Sequence, residues 1–362
     1  MRRRAHPSHA VLLLSAALAL HAPGLPAQEV EARAGGKHVE FGGRVHLQYN
    51  TSSAEGVPSS EFLLRRARLW GAARINDWID GAVQVDFSEG QVSGRYAYIR
   101  LSLDPAFAVS FGQMKRSFDL FELTSSSQIL VIERDGGIRG AGSCAGVGGL
   151  CSYTRLSEQL EFSAPDVGVL VAGDLAGGRL SYQATLTNGT GANAREENDA
   201  KSTSARVEWH APHAVRLGVN AGIHDFPNPV TGSDAYASAL ALDVEVGDFD
   251  DGFHLQAGIF TGENWRNLDD AGEGSRFVAA QGIATYRIPT RGHHRIVGVE
   301  PLARLSWGDP DTELASDGGL LMTPGLVLHF EGRNKMAANL DAWRPQSGET
   351  AWGLKVQTYL YF

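Results

Sequence analysis

Long hydrophobic runs are missing from this sequence after its first few dozen residues. No later segment approaches the roughly 18 consecutive apolar residues that a membrane-spanning helix requires. The mean hydropathy is −0.17, and apolar residues make up 43% of the 362-residue chain. These values argue against a helical membrane protein. They do not exclude a membrane barrel built from strands, because every second residue of such a strand faces a polar interior.

Positive charge is also scarce. Lysine and arginine together number 32, against 41 aspartate and glutamate residues, so the formal net charge is −9. This acidic balance argues against nucleic acid as a partner. The 12 histidines are scattered without the spacing of a metal site, and the chain has neither a nucleophile elbow nor a glycine-rich phosphate loop. We therefore expect no enzymatic activity, no metal and no cofactor.

Cysteine occurs only twice, at Cys144 and Cys151, within a glycine-rich segment. In an exported chain this spacing predicts a disulfide that closes a flexible loop. A metal site is the alternative interpretation. It is the weaker one, because no histidine lies nearby and two thiolates are too few ligands for a structural metal.

Residues 1–27 have the features of a secretory signal peptide. Arginines at positions 2–4 form the basic start, and Ala10 to Leu20 is an uncharged apolar run. This run is too short to span a bilayer as a helix. Cleavage after Ala27 would release residues 28–362 as the mature chain. The alternative is an uncleaved N-terminal anchor.

Glycine is abundant, with 43 residues, and short segments alternate between apolar and polar residues. Within residues 62–75 the alternation is clear, since one parity holds Leu63, Ala67, Leu69, Ala73 and Ile75, and the other holds Arg66, Arg68 and Arg74. Successive side chains of a strand point to opposite faces, so such a segment has one apolar and one polar face. We predict strands near residues 38–50, 61–75, 77–88, 92–103, 105–114, 166–175, 178–188, 201–210, 214–225, 234–247, 251–262, 275–288, 296–308, 318–331, 333–344 and 350–362.

This pattern predicts an all-β fold. We interpret residues 28–362 as one transmembrane antiparallel β-barrel of about 16 strands. Short turns near residues 76–77, 176–178 and 247–248 alternate with candidate long loops at 189–200, 226–233, 263–274 and 309–317. Short turns at one end and longer loops at the other are typical of outer-membrane barrels.

Residues 115–165 are the one long stretch without strand-like alternation, although residues 117–124 could form a helical turn. So long a loop rarely occurs in a compact domain without a function. We expect it to fold into the barrel and narrow the passage. Whether it narrows or plugs the passage stays open at this point.

The last predicted strand ends on an aromatic residue, Phe362. Its parity places Trp352, Leu354, Val356, Leu360 and Phe362 on one face and Lys355 on the other. A strand of this length can cross a membrane when tilted. We expect it to close the barrel by pairing with the first strand, with Phe362 facing lipid and Lys355 facing the lumen.

Several segments together resemble one family. These are FLLRRARLWGAARINDWIDGAVQVDF (62–87), YAYIRLSL (96–103), FGQMKRSFDLFELTSS (111–126), VIER (131–134) and PDVGVLVAGDLAGGRLSYQATLTNGTG (165–191). With the terminal strand, they resemble the phosphate-selective porins O and P of bacterial outer membranes.

The resemblance implies a sixteen-stranded barrel, a homotrimer in the bacterial outer membrane, that lets small anions such as phosphate diffuse through. It also implies basic side chains along the pore. The positions of this sequence that match are Arg66, Arg68, Arg74, Arg100, Lys115 and Arg116. In barrels of this kind the terminal Phe362 would serve as the signal that the outer-membrane assembly machinery reads.

Other interpretations remain open. Arg66 and Arg68 could pair with Asp80, Gln84 and Asp86 of the next strand, since cross-strand opposite charges attract. The barrel could be a porin of different selectivity, or a non-conducting structural or adhesive barrel plugged by residues 115–165. A soluble secreted β-sandwich is a further alternative, and it would need no detergent for extraction.

Overall fold

The computed structural model describes residues 30–34, 37–291 and 295–362. The predicted signal peptide, residues 1–27, lies outside the described residues. The first strands are β1 (Val30–Ala34), β2 (Lys37–Thr51), β3 (Ser60–Arg74), β4 (Ile79–Asp86), β5 (Ser93–Asp104) and β6 (Phe107–Lys115). The remaining strands are β7 (Pro165–Leu175), β8 (Leu180–Thr187), β9 (Ser202–Ala211), β10 (Val215–Asn228), β11 (Ser233–Val246), β12 (Gly252–Leu268), β13 (Gly274–Pro289), β14 (Ile296–Asp309), β15 (Gly319–Phe330), β16 (Lys335–Pro345) and β17 (Ala351–Tyr361).

Strands β2 to β17 form a closed antiparallel barrel. Each pairs with its neighbour in the chain, and β17 pairs with β2, where Tyr361 lies opposite Arg44. Closure gives the backbone donors and acceptors partners on the adjacent strand, which is what a wall in lipid requires. The predicted barrel of sixteen strands is therefore confirmed. The short strand β1 was not predicted; it pairs with β2 beyond the end of β17, with Val30 opposite Phe41.

Large apolar side chains cover the outer face of the barrel. Leu69, Ile99, Leu242, Leu305 and Leu360 are all exposed in the isolated chain. An outward apolar band of this kind is what the hydrocarbon of a bilayer covers. Phe362 belongs to the same outer surface and is 44% exposed, whereas Lys355 is buried on the inner face.

One parity assignment was wrong, because β3 contains a bulge. The register shifts between His46 and Leu47 of β2, so Arg65 is an extra residue in β3. Before the bulge, exposed Leu64 lies opposite exposed Leu47 and faces outward, while Leu63 lies opposite buried Gln48. Leu63 therefore faces the interior and does not share the outer face with Leu69. A bulge reverses the alternation because it adds one residue to one strand.

The two ends of the barrel differ as predicted, with short turns at one end, which we name the turn end, and longer connections at the other, the loop end. Two predicted long loops are shorter than expected, which corrects the ranges 226–233 and 263–274. Strand β10 continues to Asn228 and β12 continues to Leu268. The backbone partners Asn228 with Ser233 and Leu268 with Gly274 extend the sheet into these regions.

Residues 116–164, which we name the inner loop, fold into the barrel and supply nearly half of its apolar core. The loop contains helix α1 (Leu120–Leu123), near the predicted helical turn, and helix α2 (Tyr153–Gln159), which was not predicted. The ring of Phe260 on β12 lies with its centroid 5.5 Å from both Phe118 and Tyr153. No helix in the described ranges is long and apolar enough to cross a membrane.

The predicted disulfide is present, joining Cys144 and Cys151 across a Cα–Cα distance of 5.0 Å. It closes the tip of the inner loop. The Arg155 guanidinium donates to the carbonyl oxygens of Val147 and Gly148 at 3.0 and 2.9 Å and so holds the closed turn against α2. The cysteines therefore help to shape the part of the loop that packs inside the barrel.

Candidate pore constriction

The inner loop crosses the lumen from the β2–β3 wall. There, the Ser126 hydroxyl accepts hydrogen bonds from Arg44 Nη2 at 2.8 Å and from Arg68 Nη1 at 2.9 Å. The Glu133 carboxylate accepts two hydrogen bonds from Arg65, at 2.5 and 3.0 Å. Basic side chains of two neighbouring strands thus hold one side of the loop.

The opposite wall holds the loop through backbone groups. Arg304 on β14 donates to the carbonyl oxygens of Glu133 and Arg134 at 2.9 and 2.5 Å. The Ile132 amide donates to Asn339 Oδ1 on β16 at 2.7 Å, and the Tyr153 amide donates to Ser306 Oγ on β14 at 3.0 Å. Both walls therefore bind the loop, which spans the interior of the barrel between them.

Basic side chains of the β2–β6 wall, together with Arg134 of the inner loop, form a cluster where the loop meets this wall; we name it the basic cluster. Its members lie close enough to one another to interact electrostatically, and they are Arg44, Arg65, Arg66, Arg68, Arg95, Lys115 and Arg134. The carboxylates among them are Asp86, Glu122 and Glu133. Cations therefore outnumber carboxylates at this position, although the whole chain is acidic.

Some of these cations are paired. Arg68 Nε lies 2.5 Å from Asp86 Oδ2, and Arg134 Nε lies 3.5 Å from Glu122 Oε1. The Lys115 ammonium donates to the backbone carbonyl of Glu122. In the parts of the chain that the structure describes, Arg95 has no ion pair. The cluster therefore keeps uncompensated positive charge beside the loop.

Protonated carboxyl groups in the inner loop add to the excess of positive charge. Burial raises the pKa of Asp119 to about 7, with repulsion from Glu122 adding to the effect. Burial likewise raises the pKa of Glu158 to about 8, again with Glu122 contributing. Burial would also raise the pKa of Glu133, but the guanidinium groups of Arg65 and Arg66 outweigh it and hold that pKa at about 2. Near neutral pH the loop therefore carries less negative charge than its composition suggests.

The far wall is different, because its charges are paired within the wall. Arg206 on β9 donates to both Asp243 oxygens, at 2.5 and 2.8 Å, and to Glu208 at 2.6 Å. Arg304 bonds Asp341 at 2.9 Å. Arg206 faces two carboxylates, and Asp341 also pairs with Lys355. These groups balance as a set, so the excess of positive charge belongs to the β2–β6 side.

The predicted site residues fall into three places. Arg66, Arg68 and Lys115 belong to the basic cluster. Arg74 and Arg100 lie near the turn end, where both face Asp80 in register from the two strands beside β4. Arg100 also lines a cavity of about 210 Å³ there.

Arg116 lies apart from the basic cluster and is only 1% exposed. Its Nη2 donates to Asp166 Oδ2 at 2.8 Å, and its Nη1 donates to the Glu161 carbonyl at 2.7 Å. Both partners lie at the end of the inner loop or the start of β7. Arg116 therefore ties the two ends of the loop together.

Sequence reasoning missed Arg44, Arg65, Arg95 and Arg134. Arg65 and Arg95 were missed for the same reason, because each is the extra residue of a β-bulge. For Arg95, the register of β4 with β5 shifts between Gln84 and Val85, which leaves this residue without an opposite partner. A bulge re-aims a side chain against the simple alternation. The signal that could have found Arg44 is its shared parity with Gln48 on β2.

The closed barrel with a loop folded into its interior is that of a porin-type protein of the bacterial outer membrane, and the fold supports a channel for passive diffusion. The chain belongs to the phosphate-selective porin O and P family, whose pattern it matches over residues 39–271. No protein of curated function matches the chain in sequence.

Solved outer-membrane proteins share the fold at low sequence identity. The channel DcaP of Acinetobacter baumannii is 12% identical, with a TM-score of 0.62 over 92% of this chain and 99% of that one. OmpT of Vibrio cholerae, expressed in the outer membrane, is 12% identical, with a TM-score of 0.60 over 92% of this chain and 100% of that one. A trimer form of in-vitro folded OmpT is 13% identical, with a TM-score of 0.57 over 90% and 99% of the two chains.

Proposed function

We propose that this protein lets small anions, such as phosphate, diffuse passively through the outer membrane. The observation that carries the proposal is the excess of cations over carboxylates in the basic cluster beside the inner loop. Selectivity follows the charge at the narrowest point of a pore, not the net charge of the chain. The acidic residues elsewhere can lie in loops and in paired networks without setting the preference.

The passage that we propose runs between the inner loop and the β3–β6 wall. Arg68, Arg95, Lys115 and Arg134 would meet the anion in turn, and Arg66 would add to the potential from behind Glu133. Arg74 and Arg100 would continue the path at the turn end. Arg66 and Arg68 are two apart on β3 and so lie roughly 6.6–7 Å apart along the strand, a spacing that lets an anion move between weak sites. Arg116 would act by holding the loop in place.

We also propose that the chain is exported by residues 1–27, inserted with Phe362 as an assembly signal, and assembled as a homotrimer. The support for the trimer is the trimer form of OmpT, a structure with the same fold. The support for Phe362 is its place on the outer surface at the closing strand, where its backbone pairs with Gly43 at 2.6 and 3.0 Å.

Planar-bilayer recording tests the proposed function. The purified protein is inserted between two KCl solutions of different concentration, and the reversal potential is measured. We expect a reversal potential with the sign that indicates anion preference. Added phosphate should reduce the chloride current, because the two anions compete for the same sites. A cation-selective reversal potential would refute the anion proposal while leaving the fold intact.

A non-conducting barrel is the second candidate. The observation in its favour is that both walls hold the inner loop through hydrogen bonds. The same bilayer experiment separates the candidates, because a plugged barrel would insert without any stepwise current. Repeated insertions without conductance, from protein that migrates as a folded barrel on gels, would favour this second function.

A further inference from the structure

The inner faces of β3, β2 and β17 form a grid of polar side chains behind the inner loop. Arg66, His46 and Tyr359 make one row across the three strands, since His46 lies opposite both of the others. In the next row Gln48 lies opposite Gln357. Strands in a sheet are about 4.8 Å apart, so these buried side chains are neighbours on one inner face. The ring centroids of His46 and Tyr359 are 4.5 Å apart.

Several polar atoms of this grid are buried without a hydrogen-bond partner in the described structure. They are Nε and Nη1 of Arg66, both ring nitrogens of His46, Oε1 of Gln48, and both amide atoms of the Gln357 side chain. His46 and Gln357 are 0% exposed, and Arg66 is 4% exposed. Buried polar groups in folded proteins are almost always hydrogen-bonded. Guanidinium N–H groups left without a hydrogen bond in this environment are costly.

Arg66 shares its one ion-pair partner in the described structure, Glu133, with Arg65. Its Nη2 lies 3.9 Å from Glu133 Oε2, but both oxygens of Glu133 accept hydrogen bonds from Arg65. Arg44 Nε is also buried without a partner. The ammonium group of Lys335 lies 4.8 Å from the centroid of the Tyr359 ring. Positive charge therefore accumulates around this grid without an equal negative charge.

The unpartnered atoms are mainly hydrogen-bond donors. Arg66 offers three N–H groups, one on Nε and two on Nη1; the Gln357 amide offers two more, and neutral His46 offers one in either tautomer. Donors that converge from three strands, with a surplus of cations around them, have the chemistry of an anion site. The enclosure favours a small ion over a large oxyanion, because the inner loop covers the grid.

We propose that Arg66, His46 and Gln357 bind one small monovalent anion of the halide class between the barrel wall and the inner loop. The bound ion satisfies the two free nitrogens of Arg66 and allows Glu133 to remain with Arg65. It is a resident ion, separate from the passage between the loop and the β3–β6 wall. It fixes Glu133, and through it the inner loop, against β3.

Bromide scattering tests this site directly. Crystals of the full protein are grown in sodium bromide, and anomalous data are collected at the bromine absorption edge. We expect a peak within hydrogen-bonding distance of Arg66 and Gln357. Only water at this position, or a rearranged Arg66 bonded to a protein acceptor, would overturn the proposal. A peak only at exposed cations would overturn it as well.

Matched variants add a solution measurement. Arg66→Met should remove the bromide peak, and it should abolish the rise in unfolding temperature that chloride gives over gluconate at equal ionic strength. Arg216→Met, which removes a partly exposed arginine on the far wall, should keep both effects. If Arg66→Met does not fold, Gln357→Met should still weaken the peak, and an unchanged peak would contradict the assignment of that amide. The result does not depend on ion selectivity, so a cation-selective pore would leave it standing.

Discussion

Arg68 and Asp86 lie directly opposite each other on β3 and β4, with Nε 2.5 Å from Oδ2. Arg68 also donates to Ser126 of the inner loop at 2.9 Å. The cross-strand pairing that the sequence left open is therefore present at Arg68, and it coexists with a contact to the loop. One guanidinium group therefore both pairs with a carboxylate of the wall and holds the inner loop.

Replacing Arg68 with glutamine should weaken anion preference. The change removes one positive charge and leaves the Asp86 carboxylate unpaired beside the passage. A local potential change of about 1 kcal/mol corresponds to about a fivefold change in the anion-to-cation permeability ratio. The reversal potential in a KCl gradient measures it. Arg216→Gln on the far wall is the matched control and should shift the ratio much less; equal shifts would show that the passage is elsewhere.

Arg95→Gln should lower anion conductance without lowering barrel stability. Arg95 occupies a bulge and has no ion pair within the described ranges, so its removal leaves no carboxylate unpaired. Single-channel conductance in KCl measures the first effect, and the unfolding temperature in detergent measures the second. Arg95→Lys keeps the charge and should retain most of the conductance. A loss of stability in Arg95→Gln would mean that the bulge needs this side chain structurally.

Arg116→Met should destabilise the inner loop strongly. It leaves the Asp166 carboxylate, which is fully buried, without its guanidinium partner. Breaking a buried pair by removing one partner typically costs about 3–5 kcal/mol. The temperature at which the barrel loses its folded mobility on gels measures this. Adding Asp166→Asn should restore part of the loss; a shift in ion selectivity without loss of stability would instead favour Arg116 as a pore-lining residue.

Raising the pH from 6 to 9 should reduce anion preference and loosen the inner loop. Asp119 and Glu158 ionise with pKa values of about 7 and 8, whereas carboxyls in an unfolded chain ionise near pH 4. Between these limits the folded loop holds protons that the unfolded chain has lost, so its stability falls as pH rises. Above about pH 8 the new negative charges also oppose anions.

The reversal potential recorded across this pH range measures the effect. Glu158→Gln removes one of the two titrating groups, so its pH dependence should be shallower than that of the unchanged protein. Glu313→Gln, at an exposed position in the connection after β14, is the control and should change nothing. A response that is the same in all three proteins would exclude the inner loop as its source.

Removing the disulfide by Cys144→Ser and Cys151→Ser should free the tip of the inner loop while the barrel stays closed. Asn264 on β12 donates to the Ala145 carbonyl at 3.1 Å, and the crosslink keeps this carbonyl in place. A disulfide of this kind contributes about 2–4 kcal/mol. Limited proteolysis should cut the variant within residues 140–152, and its channel current should be noisier. An unchanged cleavage pattern would mean that packing alone holds the tip.

The sixteen barrel strands could be predicted because period-2 alternation is a local signal that each strand carries by itself. Bulges defeat the same signal, as Leu63 and Arg95 show, because one inserted residue reverses the parity without a distinctive composition. The position of the inner loop depends on contacts between segments that are distant in the chain, such as the hydrogen bond from Arg304 to the carbonyl of Glu133. Such contacts follow from packing in three dimensions, so the sequence indicated which loop enters the lumen but not which arginines surround it.

The seam between β2 and β17 sets the order of assembly. Its pairs join residues about 300 positions apart, as in the Leu354 amide bonded to the Thr51 hydroxyl, whereas the other barrel strands pair with chain neighbours. Contacts of such separation carry the largest loop-closure entropy and form late. The row of Arg66, His46 and Tyr359 straddles this seam. The grid behind the inner loop can therefore exist only after closure, so a barrel left open would lack it.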